Sequence, residues 1–151
     1  MKKRLVFCFD GTWNKLDAEH PTNVLLTAQS VLPLAVDAAQ TIYYDEGVGT
    51  GGKVDYWTGG LLGEGLLQNL SEAYQNLIFN YTPGDKIFVF GFSRGAFTAR
   101  SFCGLLSNSG ILDRRHASQA KRAVNLYRSR ENSPAFLEQM MLFRRDYCSD
   151  T

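Results

Sequence analysis

Residues 89–96 read Val89-Phe90-Gly91-Phe92-Ser93-Arg94-Gly95-Ala96, so an apolar strand pattern stops at a Gly-x-Ser-x-Gly pentapeptide and a helical pattern follows at once. This context is typical of a nucleophilic serine, because the turn leaves the Ser93 hydroxyl exposed at the carboxyl end of the strand. A side chain at Gly91 or Gly95 would crowd the neighbouring backbone. The following helix directs free N–H groups and its positive dipole end at the same point, so a negative charge beside Ser93 is stabilised.

The rest of the chain alternates strand and helix patterns. Short apolar runs predict strands over 5–9, 41–44 and 86–90, and apolar residues at helical spacing predict helices over 22–34, 66–81 and 94–108. This order predicts the α/β class, with a mainly parallel sheet in a three-layer α/β/α arrangement. Residues 116–147 are expected to add a helical extension in two pieces, broken near Ser133 and Pro134.

Composition indicates one globular domain over residues 1–151, since the chain is 44% hydrophobic and 21% charged. Sixteen basic and fifteen acidic residues give a net charge of +1. This balance gives no broad electrostatic reason to expect binding to nucleic acid or to an anionic membrane. The three cysteines match no metal-ligand spacing, and no metal or cofactor is predicted. Cys8 and Cys103 have apolar neighbours and are expected to be buried, reduced thiols.

The amino terminus resembles a signal peptide only superficially. Its apolar run covers residues 5–9, which is too short for a secretory core or a membrane span. We therefore expect no transmembrane segment and a protein that is cytoplasmic as synthesised. If the protein is exported, its route does not depend on a signal peptide.

A polar loop follows the first strand and is expected to face Ser93, because ligands of parallel sheets bind at the carboxyl ends of strands. Its first residues are Asp10, Gly11, Thr12, Trp13 and Asn14. The Arg94 N–H is the expected first donor of an oxyanion hole, and the N–H of Gly11 or Thr12 the second. Asp10 and Asn14 lie beside this site. The alternative is that both side chains only cap a turn by bonding their own backbone.

Two other functional interpretations fail on particular residues. A phosphatase of the haloacid-dehalogenase type would need a nucleophilic aspartate where Cys8 stands. Residues 47–65 hold eight glycines and partly match nucleotide-binding loops, but Val54 stands where the phosphate loop needs Ser or Thr, and no helix opens there. This segment is either a lid over the substrate, with Tyr56 and Trp57, or a plain connector.

The sequence offers no convincing base for Ser93. His20 precedes the serine, outside the order Ser, Asp, His that this fold class follows. His116 follows it, but the stretch Arg114-Arg115-His116 is typical of a solvated helix start, so His116 is a weak candidate. The catalytic triad is therefore expected to be incomplete in this chain.

Three segments resemble a bacterial and fungal α/β-hydrolase domain family that includes the type VI secretion phospholipase effectors of lipase family 1. They are residues 7–14, 44–50 and 84–100, within a resemblance that spans residues 5 to about 112. The resemblance implies a partial α/β-hydrolase fold, serine esterase or phospholipase activity on a lipid or other acyl ester, and Ser93 as nucleophile.

The segments that carry the family's catalytic aspartate and histidine have no counterpart here, so the chain resembles the amino-terminal half of such a domain. The first hypothesis is a serine hydrolase of acyl esters whose acid and base come from a missing or separate segment. The second is a catalytically silent α/β domain that binds a partner protein or a lipid surface. Because further strands are lacking, an open sheet edge is expected, at which the chain self-associates or accepts a complementing chain.

Overall fold

The computed structural model describes residues 2–11, 19–47, 64–129, 131 and 133–149. In chain order its elements are β1 (Lys3–Phe9), α1 (Asn23–Ser30), β2 (Ala39–Asp45), α2 (Glu64–Asn80), β3 (Lys86–Gly91), α3 (Arg94–Ser109), a 3-10 helix (Arg114–Gln119), α4 (Ala120–Ser129) and α5 (Pro134–Tyr147). All three predicted strands and all of the predicted helices are present.

The three strands form one parallel sheet in the order β2-β1-β3. The central strand is β1, with Leu5 opposite Thr41 on one side and Ile87 on the other. The chain therefore moves from the centre to one edge and then crosses to the other edge. Because such crossovers are right-handed, α1 and α2 lie on opposite faces of the sheet. The α/β class is confirmed.

Alternate side chains of β1 point to the two faces and are buried on both. Leu5, Phe7 and Phe9 pack in the main core with residues of α2 and α3, while Val6 and Cys8 pack against α1. The Phe7 and Phe9 ring centroids lie 4.8 and 5.5 Å from that of Phe102 in α3. A strand buried on both faces needs an unbroken apolar run, which β1 has.

The helix ends differ from the predicted ones for local reasons. Thr22 caps α1 by accepting a hydrogen bond from the Leu25 N–H at 3.1 Å. This helix ends at Ser30, four residues early, since Val31 is extended and Pro33 follows. The break before α5 is confirmed: Ser133 caps the helix and Pro134 occupies its first turn. The extension, however, begins with a 3-10 helix that leads directly into α4.

One prediction about the cysteines is wrong. Cys8 is buried, and burial raises the pKa of its thiol to about 11. Cys103 is exposed, because it lies on the solvent side of α3 beside the buried Phe102. Its apolar sequence neighbours therefore did not indicate which way the helix would turn this side chain.

Strand β3 carries an uncovered apolar surface. Phe88, Phe90 and Phe92 alternate along the chain and are 40%, 40% and 51% exposed. They are uncovered because α1, on the opposite face from α2, contacts β1 and β2. Within the described ranges, β3 pairs with β1 alone and its outer edge has no strand beside it. No helix in those ranges combines the length and apolarity needed to span a membrane.

We predict that Phe102→Ala lowers the free energy of unfolding by about 3–5 kcal/mol, because it empties a fully buried site between α3 and β1. Phe79→Ala removes the same side chain from an exposed position on α2 and is the matched control. Urea unfolding followed by circular dichroism measures both. Equal effects of the two substitutions would contradict the burial of Phe102 between α3 and β1.

Candidate active site

Ser93 stands in a strained turn between β3 and α3. Its backbone angles are φ 52° and ψ −123°, and it is the one non-glycine residue with positive φ in the described part of the chain. Such a conformation costs about 1–3 kcal/mol and persists only where the surroundings enforce it. The Phe92 N–H donates to the Phe9 carbonyl at 3.1 Å, and the Ala96 N–H to the Ser93 carbonyl at 3.0 Å. These bonds hold the turn on both sides of the serine.

Gly91 and Gly95 have the steric role that the sequence predicted. A Cβ at Gly91 would lie 2.6 Å from the Gly95 carbonyl oxygen and 2.7 Å from the Ala96 Cα. A Cβ at Gly95 would overlap the carbonyl oxygens of Phe9 and Asp10 at the end of β1. All of these neighbours are backbone atoms of packed elements, so none can move aside cheaply.

The amino terminus of α3 offers a hydrogen-bond donor next to Ser93. The Ser93 side chain makes no capping bond, and among the residues with described positions none accepts from the Arg94 N–H. The first N–H groups of a helix lack partners within the helix, and the dipole adds a partial positive charge there. The role of the Arg94 N–H as an oxyanion donor stays a prediction.

The end of β1 differs from the prediction at Gly11. The Gly11 N–H donates to Asp10 Oδ1 at 2.7 Å, so this donor already has an acceptor. A backbone N–H is a single donor, and the structure thus does not support Gly11 as the second oxyanion donor. The other candidate, Thr12, lies outside the described residues, as does Asn14.

Asp10 takes the structural role that was left open for it. Its side chain is 1% exposed, and besides the Gly11 N–H it accepts from the Tyr44 hydroxyl at 2.8 Å and from the Thr22 hydroxyl. A carboxylate buried this deeply needs such donors to offset its lost hydration. Asp10 is therefore bound to β2 and to the start of α1 as well as to its own loop.

A second aspartate holds the end of β2 in the same manner. Asp45 accepts from the Gly47 N–H at 2.8 Å and from the Asn69 amide of α2 at 2.6 Å. Burial raises the pKa of the Asp45 carboxyl, and these two bonds oppose that shift. Gly47 has φ 80°, and a Cβ there would lie 2.7 Å from the Asp10 carbonyl oxygen. The loops after β1 and β2 are thus in direct contact.

Sequence reasoning from the residues assigned no role to Thr22, Tyr44, Asp45 or Asn69 at this edge. One signal was available: an aspartate followed within two residues by a glycine closes both β1 and β2. The partners of these carboxylates lie up to 34 residues away and carried no comparable signal.

His116 lies at the opposite end of α3 from Ser93. Its ring Nδ1 is 3.3 Å from the Tyr147 carbonyl oxygen, and its backbone N–H donates to Asp113 just beyond that helix. A 16-residue helix is about 24 Å long, so the imidazole does not reach the serine hydroxyl. The structure does not support His116 as the base.

His20 lies on the exposed segment before Thr22, and no hydrogen bond joins it to Ser93 in the part of the chain with described positions. The same part contains no cluster of three or more metal-ligating side chains. Most of the glycine-rich segment, residues 48–63, lies outside the described residues.

A parallel sheet with helices on its faces defines an α/β protein, and β3 leads through a sharp turn at Ser93 into α3. A family model described as "T6SS, Phospholipase effector Tle1-like, catalytic domain" matches residues 3–144. The chain therefore belongs to the Tle1-like family of phospholipase effector catalytic domains.

One curated relative is an uncharacterized yeast protein, YEL023C of Saccharomyces cerevisiae, which is 29% identical over 139 residues. The match covers 83% of this chain and 20% of the relative's length. No solved structure matches the chain.

We predict that Gly95→Ala destabilises the fold by about 1–3 kcal/mol or more, because the new methyl group overlaps two carbonyl oxygens of β1. Gly104→Ala, also in α3, is the control. Its methyl group would meet the end of the Tyr127 side chain, which can move, and alanine favours the helix by up to about 1 kcal/mol. Thermal unfolding of the two variants compares them, and a Gly95→Ala variant as stable as wild type would contradict the close contact.

Proposed function

We propose that this chain carries the nucleophile half of a serine hydrolase that cleaves acyl esters, with phospholipids as the substrate class. The observation that carries the proposal is Ser93, held at positive φ where β3 ends and α3 begins. Strain of this kind is concentrated at functional sites. A turn with a purely structural role would carry a glycine at this position or adopt a common backbone conformation. Membership of a phospholipase effector family supports a hydrolytic role on lipids.

In the proposed reaction, Ser93 Oγ attacks the ester carbonyl carbon while a general base takes the hydroxyl proton. The Arg94 N–H stabilises the oxyanion, and the second donor comes from the loop after β1, with the Thr12 N–H as our choice because the Gly11 N–H is engaged by Asp10. The proton then passes to the leaving alcohol, and water releases the acyl group from Ser93 by the same steps.

The base and its acidic partner are proposed to come from a segment other than those described. His116 lies at the far end of α3, and His20 makes no bond to the serine within the described ranges. Since the match covers only 20% of the yeast relative, a catalytic unit larger than residues 1–151 is consistent with the comparison. The full reaction is thus proposed for the chain together with that segment.

We predict that a fluorophosphonate probe labels Ser93 and that Ser93→Ala abolishes this labelling. Ser107→Ala is the matched control, because Ser107 is an exposed serine on the same helix with helical geometry. Mass spectrometry of the labelled peptide identifies the site. Labelling should be faster in a longer protein that supplies the base. If Ser93 stays unlabelled in both forms, this serine is not activated.

A second candidate function is a binding domain that receives a further polypeptide at β3. The exposed row Phe88, Phe90 and Phe92, next to an outer edge without a strand in the described ranges, favours it. An uncovered strand edge is a template for pairing, and an apolar face beside it adds burial.

For this second function we expect light scattering to show a mass above that of the 16.9 kDa monomer, because a second copy covers β3 when no other partner is present. The double substitution Phe88→Ser and Phe90→Ser should restore the monomer, and Phe79→Ser on α2 should not. A monomeric wild-type chain that binds no apolar dye would count against this function.

A further inference from the structure

The Asp10 carboxylate joins three separate segments at the carboxyl edge of the sheet. Oδ1 accepts from Gly11 in the loop after β1, and Oδ2 accepts from Thr22, before α1, and from Tyr44 in β2. Thr22 in turn accepts from the Leu25 N–H, so its hydroxyl both donates and accepts. Bonds to a charged acceptor are roughly twice as strong as bonds between neutral groups, which makes this carboxylate an effective clamp.

The backbone of Asp10 packs under the nucleophile turn, which comprises residues 91–95. Gly95 packs against the carbonyl oxygens of Phe9 and Asp10, and the Phe92 N–H donates to the Phe9 carbonyl. The Asp10 N–H donates to the Asp45 carbonyl at 2.8 Å, which fixes Asp10 to β2. A displacement of the chain at Asp10 would therefore be passed directly to the turn that holds Ser93.

The Asp10 carboxylate also fixes Gly11, the residue that follows it. The Gly11 N–H donates to Oδ1 of the preceding residue, Asp10, and Gly11 is itself buried. The orientation of Gly11 is thus fixed, and the Asp10 side chain is too deeply buried to meet a substrate. Burial raises the pKa of the Tyr44 phenol, and its hydrogen bond to Asp10 raises it further, so the Tyr44 hydroxyl remains a donor.

We propose that Asp10 is a positioning residue for the reaction of Ser93: its buried carboxylate joins the end of β1 to β2 and to the start of α1, and thereby holds the nucleophile turn in place. The proposal rests on the proposed hydrolase function. It assigns to Asp10 no contact with substrate and no proton transfer. An error of about 1 Å at such a site can reduce a rate by about a hundredfold, so loss of the clamp should be visible in reactivity.

Asp10→Asn tests the proposal, because it keeps the side-chain shape but removes the charge and one acceptor oxygen. We expect the first-order rate of fluorophosphonate labelling at Ser93 to fall by about tenfold, with little change in probe binding. Tyr44→Phe leaves the carboxylate intact and removes one donor, for which we expect about a threefold decrease. This milder variant tests the clamp if Asp10→Asn folds poorly.

Asp85→Asn is the matched control at the other end of the sheet, where the strands begin. The Asp85 side chain is 3% exposed, forms an ion pair with Lys3 Nζ at 3.3 Å, and accepts from the backbone N–H groups of Lys3 and Thr82 at 2.7 and 2.9 Å. Asp85→Asn should lower the melting temperature while the labelling rate at Ser93 stays within about twofold, because the partners of Asp85 in the described residues, Lys3 and Thr82, lie near the amino ends of β1 and β3, away from Ser93. Wild-type labelling in Asp10→Asn, or equal slowing in Asp85→Asn, would overturn the positioning role.

Amide hydrogen exchange separates this proposal from the hydrolase function. If wild-type Ser93 is not labelled, the proposed function fails, but protection of the Phe92 and Ala96 N–H groups still reports on the turn. We expect Asp10→Asn to reduce their protection by about tenfold and Asp85→Asn to leave it unchanged. Unchanged protection in Asp10→Asn would exclude the clamp independently of activity.

Discussion

The contact between α3 and the carboxyl end of β1 is the constraint on which the site depends. Gly95 brings the helix backbone against two carbonyl oxygens of the strand, and one and two turns later Ala99 and Phe102 bury the same helix face in the core. Because the helix cannot move away without opening that core, Ser93 is held at positive φ against its own conformational preference. The energy that maintains the strained serine therefore comes from apolar packing some 10 Å along the helix.

The carboxyl edge of the sheet is built from polar groups that satisfy one another. Asp10 and Asp45 each follow the apolar part of a strand and each bind the N–H of a nearby glycine. Their other bonds, from Tyr44 to Asp10 and from Asn69 to Asp45, reach β2 and α2, so the two loops are tied to regular elements. These bonds fix the end of β1, against which the turn at Ser93 and the start of α3 pack.

Much of the fold could be predicted because its signals are local. The apolar run of β1, the glycines around Ser93 and the Ser133–Pro134 break each specify the conformation of their own segment. The site was predictable only in part: Ser93 lies in a sharp turn between a strand and a helix, as the motif predicts, whereas the Gly11 N–H donates to Asp10. His116 could not be excluded from sequence position, since the length and direction of α3 decide its distance from the serine.

Side-chain period and glycine sterics act over a few neighbouring residues, so local sequence was enough to predict the order of strands and helices, the parallel α/β class and the sharp turn at Ser93. Only the tertiary structure decided that β1 lies at the centre, that Thr22 and Tyr44 meet Asp10, and that β3 keeps an uncovered face. Those outcomes depend on strand order and register, which bring together distant groups, such as Asp10 and Tyr44, 34 residues apart, that no local pattern relates.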